Sequence, residues 1–104
     1  MALSNTDFDF GHALVTTLAD DIRELGYRDL AVRYDVEDRL SGRFGAVRVS
    51  RRPHQVEIHL GAEQVIINVW RTGYGSRVLH SESYDLADPQ SLDRAFAVIK
   101  ETFG

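Results

Sequence analysis

Several residue types are scarce in this chain, which has no cysteine, two prolines and a single lysine. Without cysteine, disulfide bonds, thiol catalysis and thiolate metal ligands are excluded, and the composition suits a reducing compartment. No apolar stretch approaches the roughly 20 residues of a membrane-spanning helix. The N-terminus lacks the basic segment and apolar run of a signal peptide. We therefore expect a cytoplasmic protein with no membrane partner.

The sequence motifs of common active sites are missing as well. The chain has no phosphate-binding glycine loop, no G-x-G-x-x-G segment that opens a helix and no G-x-S-x-G elbow. Its four histidines form no helical pair with an acid between them. We predict no catalytic residue, no metal site and no cofactor. We favour a non-enzymatic protein, while the possibility of an enzyme stays open.

The length of 104 residues, with 43% hydrophobic and 27% charged side chains, is that of an ordinary globular chain. No repeat, low-complexity tract or linker divides the sequence. Residues 1–104 are therefore predicted to form a single domain.

The net charge of −4 is distributed unevenly along the sequence. Residues 1–38 carry −6, residues 39–80 carry +5 and residues 81–104 carry −3. All but one of the 12 basic residues are arginines. Arginine makes planar, multidentate contacts with anions, but a coding bias toward arginine is the explanation that we favour for the excess.

The central feature of the sequence is the segment QVEIHLGAEQVIINVWR at residues 55–71. Its apolar and polar residues alternate, which predicts two strands of a β-hairpin. With a two-residue turn at positions 61–62, Leu60 pairs with Glu63 and the apolar residues of both strands share one face. A shift of one residue would move one strand's apolar residues to the other face, so the pattern supports this arrangement. We place the hairpin at the centre of an antiparallel sheet.

Alternation also predicts strands at residues 44–50 and 77–85. A four-residue turn at 51–54 places Arg48 directly opposite Glu57, a cross-strand pair of opposite charge that supports this register. The buried face of the last strand is ambiguous. We favour three residues as inward-facing: Leu79, Ser81 and Ser83.

Two amphipathic helices flank the strands. The spacing of apolar residues over positions 7–25 predicts the first helix. Asp7 or Asp9 is its expected capping acid, and Gly26 is the expected glycine at its C-terminal end. Its predicted buried face consists of Phe10, Leu14, Leu18, Ile22 and Leu25. An aspartate and a proline at positions 88–89 predict the start of the second helix. Its predicted buried face consists of Leu92, Ala95, Phe96, Ile99 and Phe103.

The segment at residues 30–38 is either a strand, because its apolar residues alternate up to Val36, or part of a short helix. With a strand there, the order of elements is helix, five strands, helix. We therefore predict an α+β fold with two layers. A five-stranded antiparallel meander carries an N-terminal and a C-terminal helix on one face.

The sheet face opposite the helices is the main candidate for a binding surface. On the predicted registers it carries more aromatic and aliphatic side chains than a solvated face would. The predicted surface consists of Phe44, Arg48, Glu57, His59, Ile66, Asn68, Trp70, His80 and Tyr84. We expect it to bind a second copy of the chain or another protein. A small-molecule site or an enzyme centred on His59 and His80 is an alternative.

A cluster of basic residues at one end of the sheet is the second candidate. In a meander, the loops at 51–54 and 72–76 lie at the same end. The predicted cluster, called the basic corner below, consists of Arg51, Arg52, His54, Arg71, Tyr74 and Arg77. Such a cluster suits phosphate, carboxylate or RNA. The acidic net charge argues against non-specific binding of DNA.

Overall fold

A computed structural model describes residues 5–37, 42–73 and 75–104 of the chain, and of residues 5–9 the backbone alone. The described residues form two helices and five strands. Their bounds are α1 Asn5–Glu24, β1 Ala31–Val36, β2 Arg43–Arg51, β3 His54–Gly61, β4 Gln64–Arg71, β5 Arg77–Asp85 and α2 Gln90–Phe103.

The five strands form one antiparallel sheet whose strand order is the chain order. Helix α1 lies over β1 and β2, and helix α2 lies over β3, β4 and β5. Both helices bury their apolar residues in one core on the same face of the sheet. The predicted two-layer α+β fold is confirmed.

The segment at residues 30–38, for which the sequence allows a strand or a helix, contains a strand. Ala31–Val36 pairs with β2 along its whole length. The helical alternative is therefore wrong for these residues. Residues 38–41, which include the end of that predicted segment, lie outside the described part of the chain.

The predicted register between β2 and β3 is confirmed. Arg48 lies opposite Glu57, and Arg51 lies opposite His54, so two residues at 52–53 connect the strands. The Arg48 Nε donates a hydrogen bond to Glu57 Oε2 at 3.0 Å. This ion pair joins neighbouring strands, as the opposite charges predict.

The turn between β3 and β4 differs from the prediction. Leu60 pairs with Val65 rather than with Glu63, so the connecting residues are Ala62 and Glu63 and the partners are shifted by two positions. Because side chains alternate with a period of two, an even shift leaves every apolar residue on its predicted face. Alternation therefore determines the face of the hairpin but does not distinguish these two turn positions.

The core consists of aliphatic residues from the inner face of the sheet and from both helices. Its central members in β3 and β4 are at most 1% exposed: Val56, Ile58, Leu60, Val65 and Ile67. Burial of this apolar surface is the main favourable term in the folding of such a sheet.

Helix α1 begins earlier than predicted, at Asn5, so Asp7 and Asp9 lie inside the helix rather than before it. Phe10 is 59% exposed and does not belong to the buried face. The buried residues of this helix are Gly11, Val15, Leu18, Ala19 and Ile22. Gly26 has a φ of 71°, which confirms the predicted left-handed glycine after the helix.

A β-bulge between Arg43 and Gly45 alters the direction of Phe44. The Phe44 side chain is 3% exposed and belongs to the core cluster. Its ring meets that of Phe10 edge to face, with centroids 6.4 Å apart. A Cβ atom at Gly11 would lie 2.0 Å from the Phe44 ring, so glycine is needed to let the helix approach the strand.

Helix α2 begins as predicted, after Asp88 and Pro89. The Asp88 Oδ1 accepts a hydrogen bond from the backbone N–H of Gln90 at 2.8 Å, which satisfies one free amide of the first turn. Leu92 and Phe96, predicted as buried, are partly buried against the core. The fully buried residues of this helix are Ser91, Ala95, Val98, Ile99 and Phe103.

Candidate functional site

The sheet face opposite the helices, called the open face, has a polar middle row. Across the five strands this row runs Arg33, Arg48, Glu57, Asn68 and Ser81. Arg48 donates to Glu57 and also to the carboxylate of Asp35. The Ser81 Oγ donates to Asn68 Oδ1 at 2.6 Å. Most charges in the middle of the face are therefore neutralised within it.

His59 lies in the neighbouring row, between Ala46 and Ile66. Its Nε2 atom is 3.9 Å from Glu57 Oε2, and its side chain is 28% exposed. The open face thus holds one histidine beside an acid that already binds an arginine. This arrangement suits a polar contact.

The apolar part of the open face lies at its β4–β5 side. Trp70 lies between Gln55 and Val78, and Leu79 is the additional residue of a β-bulge in β5. Val78 is 46% exposed and Leu79 is 45% exposed. We call Trp70, Val78 and Leu79 the apolar patch. Large apolar side chains grouped at a sheet edge are a feature of contact surfaces.

The indole N–H of Trp70 is unusual. It is inaccessible to solvent and has no hydrogen-bond acceptor among residues 5–37, 42–73 and 75–104. A buried donor without an acceptor costs about 1–3 kcal/mol.

Three residues predicted for the open face lie on its other side: Phe44, His80 and Tyr84. The bulge in β2 directs Phe44 into the core. His80 pairs with Val69 and Tyr84 pairs with Val65, and both valines face the core. The prediction was wrong for these residues because bulges and the register of an ambiguous strand are not visible in alternation alone.

The prediction that the serines of β5 face inward was wrong for the same reason. Ser81 pairs with Asn68 and Ser83 pairs with Ile66, so both lie on the open face. Leu79, predicted inward with them, is the exposed bulge residue. The side facing α2 carries the alternating set that includes Glu82.

Glu82 forms the most connected polar cluster among the described residues. The Arg94 Nε donates to Glu82 Oε1 at 2.6 Å, and the Arg94 Nη2 donates to Oε2 at 3.2 Å. The Tyr84 hydroxyl also donates to Oε1, at 2.9 Å, and the His80 Nε2 contacts Oε2. Since Arg94 is in α2, this cluster fastens the last strand to the second helix.

Burial raises the pKa of the Glu82 carboxyl, but hydrogen bonds from Arg94, His80 and Tyr84 outweigh burial and lower the pKa from 4.5 to about 2. The hydrogen bond to Glu82 in turn raises the pKa values of Arg94 and Tyr84. The cluster is structural. In the sequence, the one indication of this cluster is an acid within a predicted strand. Where such an acid is partly buried, its charge requires a cation as partner, here from another element.

The basic corner is assembled largely as predicted. One row across four strands runs Arg51, His54, Arg71 and Arg77. The two loops are joined, since the backbone N–H of Thr72 donates to the Pro53 carbonyl at 2.7 Å and the Thr72 hydroxyl donates to it at 3.2 Å. Tyr74, a predicted member, lies outside the described residues.

The arginines of the corner have different surroundings. Arg51 donates to the carbonyls of Arg28 and Phe103, and its guanidinium lies 5.6 Å from the centroid of the Phe103 ring, so it binds the end of α2. Arg71 and Arg77 lie directly opposite each other. Like charges in this position are destabilising.

No ion pair joins Arg52, Arg71 or Arg77 to a carboxylate within the described part of the chain. A groove of about 390 Å³ runs between the two loops. Its lining residues are Pro53, Arg71, Thr72, Gly75 and Arg77. The groove therefore offers exposed cationic groups to an anion.

The predicted placement of His59 and His80 on the same face is wrong, because His59 is on the open face and His80 is on the helix side. The small-molecule or enzyme site centred on both therefore loses its geometric basis. Within the described ranges, no group of three or more histidine, aspartate or glutamate side chains is placed to hold a metal ion.

Comparisons of the chain with known protein families, with curated proteins and with solved structures find no match. Neither described helix combines the length and apolar character needed to cross a membrane.

Proposed function

We propose that this chain is a non-enzymatic binding module that self-associates, and that the apolar patch takes part in the contact between copies. The observation that carries the proposal is the exposure of Val78 and Leu79, 46% and 45%, beside Trp70 at one edge of the sheet. Removing such apolar surface from water stabilises a protein contact. Tryptophan in particular is enriched among residues that dominate binding energy.

The surroundings of the patch support the same proposal. Polar groups of the open face, such as the Arg48 and Glu57 pair, are already partnered within the chain. Interfaces commonly have an apolar centre surrounded by a polar rim. The uncompensated indole N–H of Trp70 adds a further reason, because a contact that lets the ring turn toward an acceptor recovers its cost.

Sedimentation of wild type and of a Trp70→Ser variant tests this proposal. Wild type is expected to dimerise, and the variant is expected to dimerise at least about tenfold more weakly, as for a hot-spot residue. The far-UV circular dichroism of the two should agree, since Trp70 is not in the core cluster.

The matched control is Tyr34→Ser, which removes an aromatic side chain that is 42% exposed on β1, at the opposite edge of the sheet. This variant should dimerise like wild type. Equal weakening by both variants would contradict the role of the apolar patch. A wild type that stays monomeric at high concentration would contradict self-association itself.

Anion binding at the basic corner is a second candidate function. The specific observation in its favour is that Arg71 and Arg77 are held opposite each other at a groove, without a carboxylate partner among the described residues. A bound phosphate group would offset this repulsion through charge-assisted hydrogen bonds. A small phosphorylated molecule suits the groove better than nucleic acid, given the acidic net charge.

Titration with inorganic pyrophosphate at low salt tests the second candidate. Arg71→Glu should weaken binding about tenfold or more, because it removes a charged donor and adds a repulsive charge. Arg33→Glu, the same change at an exposed arginine of β1, should have little effect. Added salt should weaken wild-type binding. No measurable affinity in wild type, or equal effects of the two changes, would exclude the site.

The cytoplasmic location and the single domain spanning residues 1–104 stay predictions from the sequence. No cofactor is part of either proposal.

A further inference from the structure

Strand β5 is the last strand of the sheet and has no strand on its outer side among the described residues. The backbone N–H of Leu86 donates to the carbonyl of Glu63 at 2.8 Å, just beyond the last ladder pair. In an antiparallel ladder, hydrogen-bonded pairs alternate with pairs that are not hydrogen-bonded. Counting from Leu86, the residues of β5 that bond to β4 are Tyr84, Glu82 and His80.

The intervening residues, Ser81, Ser83 and Asp85, therefore direct their backbone N–H and C=O groups away from β4. Their side chains are small or exposed. A row of free backbone groups along an edge strand is a template for another strand. Because β5 pairs with β4 without interruption from His80 to Asp85, this stretch of edge is regular.

The sequence of β5, RVLHSESYD, is complementary to itself when two copies run antiparallel with Ser81 opposite Ser81. His80 then lies opposite Glu82, and Leu79 lies opposite Ser83. An imidazole opposite a carboxylate is a favourable polar contact, and like charges directly opposite each other are unfavourable. The pairing also satisfies the outward backbone groups of Ser81, since the two central serines form a hydrogen-bonded pair.

The neighbouring registers are less favourable. Only shifts that keep the outward-facing residues paired are allowed, so the nearest alternatives centre the two-fold axis on Glu82 or on His80. The first places Glu82 directly opposite Glu82, and the second places His80 opposite His80. The register centred on Ser81 is the one of these three that puts acidic and basic groups opposite each other without a like-charged pair.

We infer that two copies of the chain dimerise by antiparallel pairing of their β5 edges about Ser81, which joins the two sheets into one ten-stranded sheet. This inference rests on the proposed self-association and identifies its geometry. The two-fold axis brings Val78 and Leu79 of each copy close to the contact, so the apolar patches flank the paired strands.

Cysteine cross-linking tests the pairing, because the natural chain has no cysteine. In a Ser81→Cys variant the two introduced residues face each other with Cα atoms about 5.5 Å apart, within the range for a disulfide. Mild oxidation should therefore give a covalent dimer in high yield. The matched control is Ser83→Cys on the same strand and face, where the two cysteines lie roughly 13 Å apart along the strands and should not cross-link.

Sedimentation of wild type separates the two possible failures. A wild-type dimer, with rapid cross-linking at position 81 and little at position 83, supports the inference. A wild-type dimer in which Ser81→Cys does not cross-link, or in which both variants cross-link equally, overturns the β5 pairing and leaves self-association standing. A wild-type monomer that cross-links at neither position overturns both.

A second pair of variants removes the dependence on disulfide geometry. Ser81→Lys places two like charges directly across the axis and should weaken the dimer at least about tenfold. Ser83→Lys adds the same charge opposite Leu79 of the other copy and should weaken it less. Both substitutions are at exposed positions, so the circular dichroism of each monomer should match that of wild type. Equal weakening by both lysines would contradict the register.

Discussion

A single carboxylate, that of Glu82, fastens strand β5 to helix α2 through the bidentate contact with Arg94. Paired carboxylate and guanidinium groups of this kind are stronger than neutral hydrogen bonds. The side chain of Glu82 is 13% exposed and that of Arg94 is 34% exposed, so solvent screens the pair only in part. At the scale of one residue, this contact explains why an acid occupies the helix side of the sheet.

Glu82→Gln should lower the free energy of unfolding by about 1–3 kcal/mol at pH 7, because the amide keeps the shape of the side chain and loses its charge. Urea denaturation of both proteins measures this difference. Ser83→Ala, at the next position and on the open face, should change stability by no more than about 0.5 kcal/mol.

The ion pair of Glu82 should also make the stability of the fold depend on pH. The pKa of Glu82 in the folded chain, about 2, is below its ordinary value of 4.5. The stabilisation is therefore complete above pH 4.5 and is lost as the pH falls toward 2. The stability difference between wild type and Glu82→Gln should shrink over this interval. A difference that stays constant between pH 6 and pH 3 would contradict the assigned ion pair.

The directions of individual side chains are the part of the structure that the sequence predicts least completely. Alternation placed Arg48, Glu57, Ile66 and Trp70 on the open face, because regular pairing carries a side chain's direction from one strand to the next. It failed at Phe44, where a bulge adds one residue to the strand. Such an insertion leaves no mark in the pattern of apolar residues.

At the scale of elements, the hairpin of β3 and β4 supplies the centre of the core. Ile66 and Ile67 are adjacent on β4 and point to opposite faces of the sheet. Ile67 is fully buried, whereas Ile66 is half-buried on the open face. They form a matched pair for testing which face is the core.

Ile67→Ala should cost about 2–5 kcal/mol of stability, the range for truncating a buried isoleucine. Ile66→Ala should cost about 1 kcal/mol or less, because its side chain leaves little cavity behind. Denaturant titration measures both. If Ile67→Ala were within about 0.5 kcal/mol of wild type, or if the two losses were equal, the assignment of faces would be wrong.

The elements themselves were largely predictable. Period-two alternation located β2 to β5, and the period of the helix located α1 and α2, because burial against one layer imposes these spacings. Turn positions were harder, since Gly61 fits a turn and also fits the end of a strand. The face of β5 was not predictable from its own residues, because serines suit either face and Glu82 finds its partner Arg94 in another element, 12 positions along the chain.

In the molecule as a whole, the two ends of the sheet carry side chains of opposite charge. Arg71 and Arg77 gather at the end with the basic corner, while Glu63, Asp85 and Asp88 lie at or near the other end. Antiparallel pairing of two β5 edges brings the basic end of one copy beside the acidic end of the other. Self-association of this kind should therefore weaken as salt is added.

Sedimentation equilibrium of the wild-type chain, from about 1 μM to about 1 mM at low salt, measures self-association directly. The weight-average mass should rise with concentration from 11.8 kDa toward twice that value, and added salt should reverse the rise. A mass that stays at 11.8 kDa across the whole range, in protein with a native circular dichroism spectrum, would contradict it.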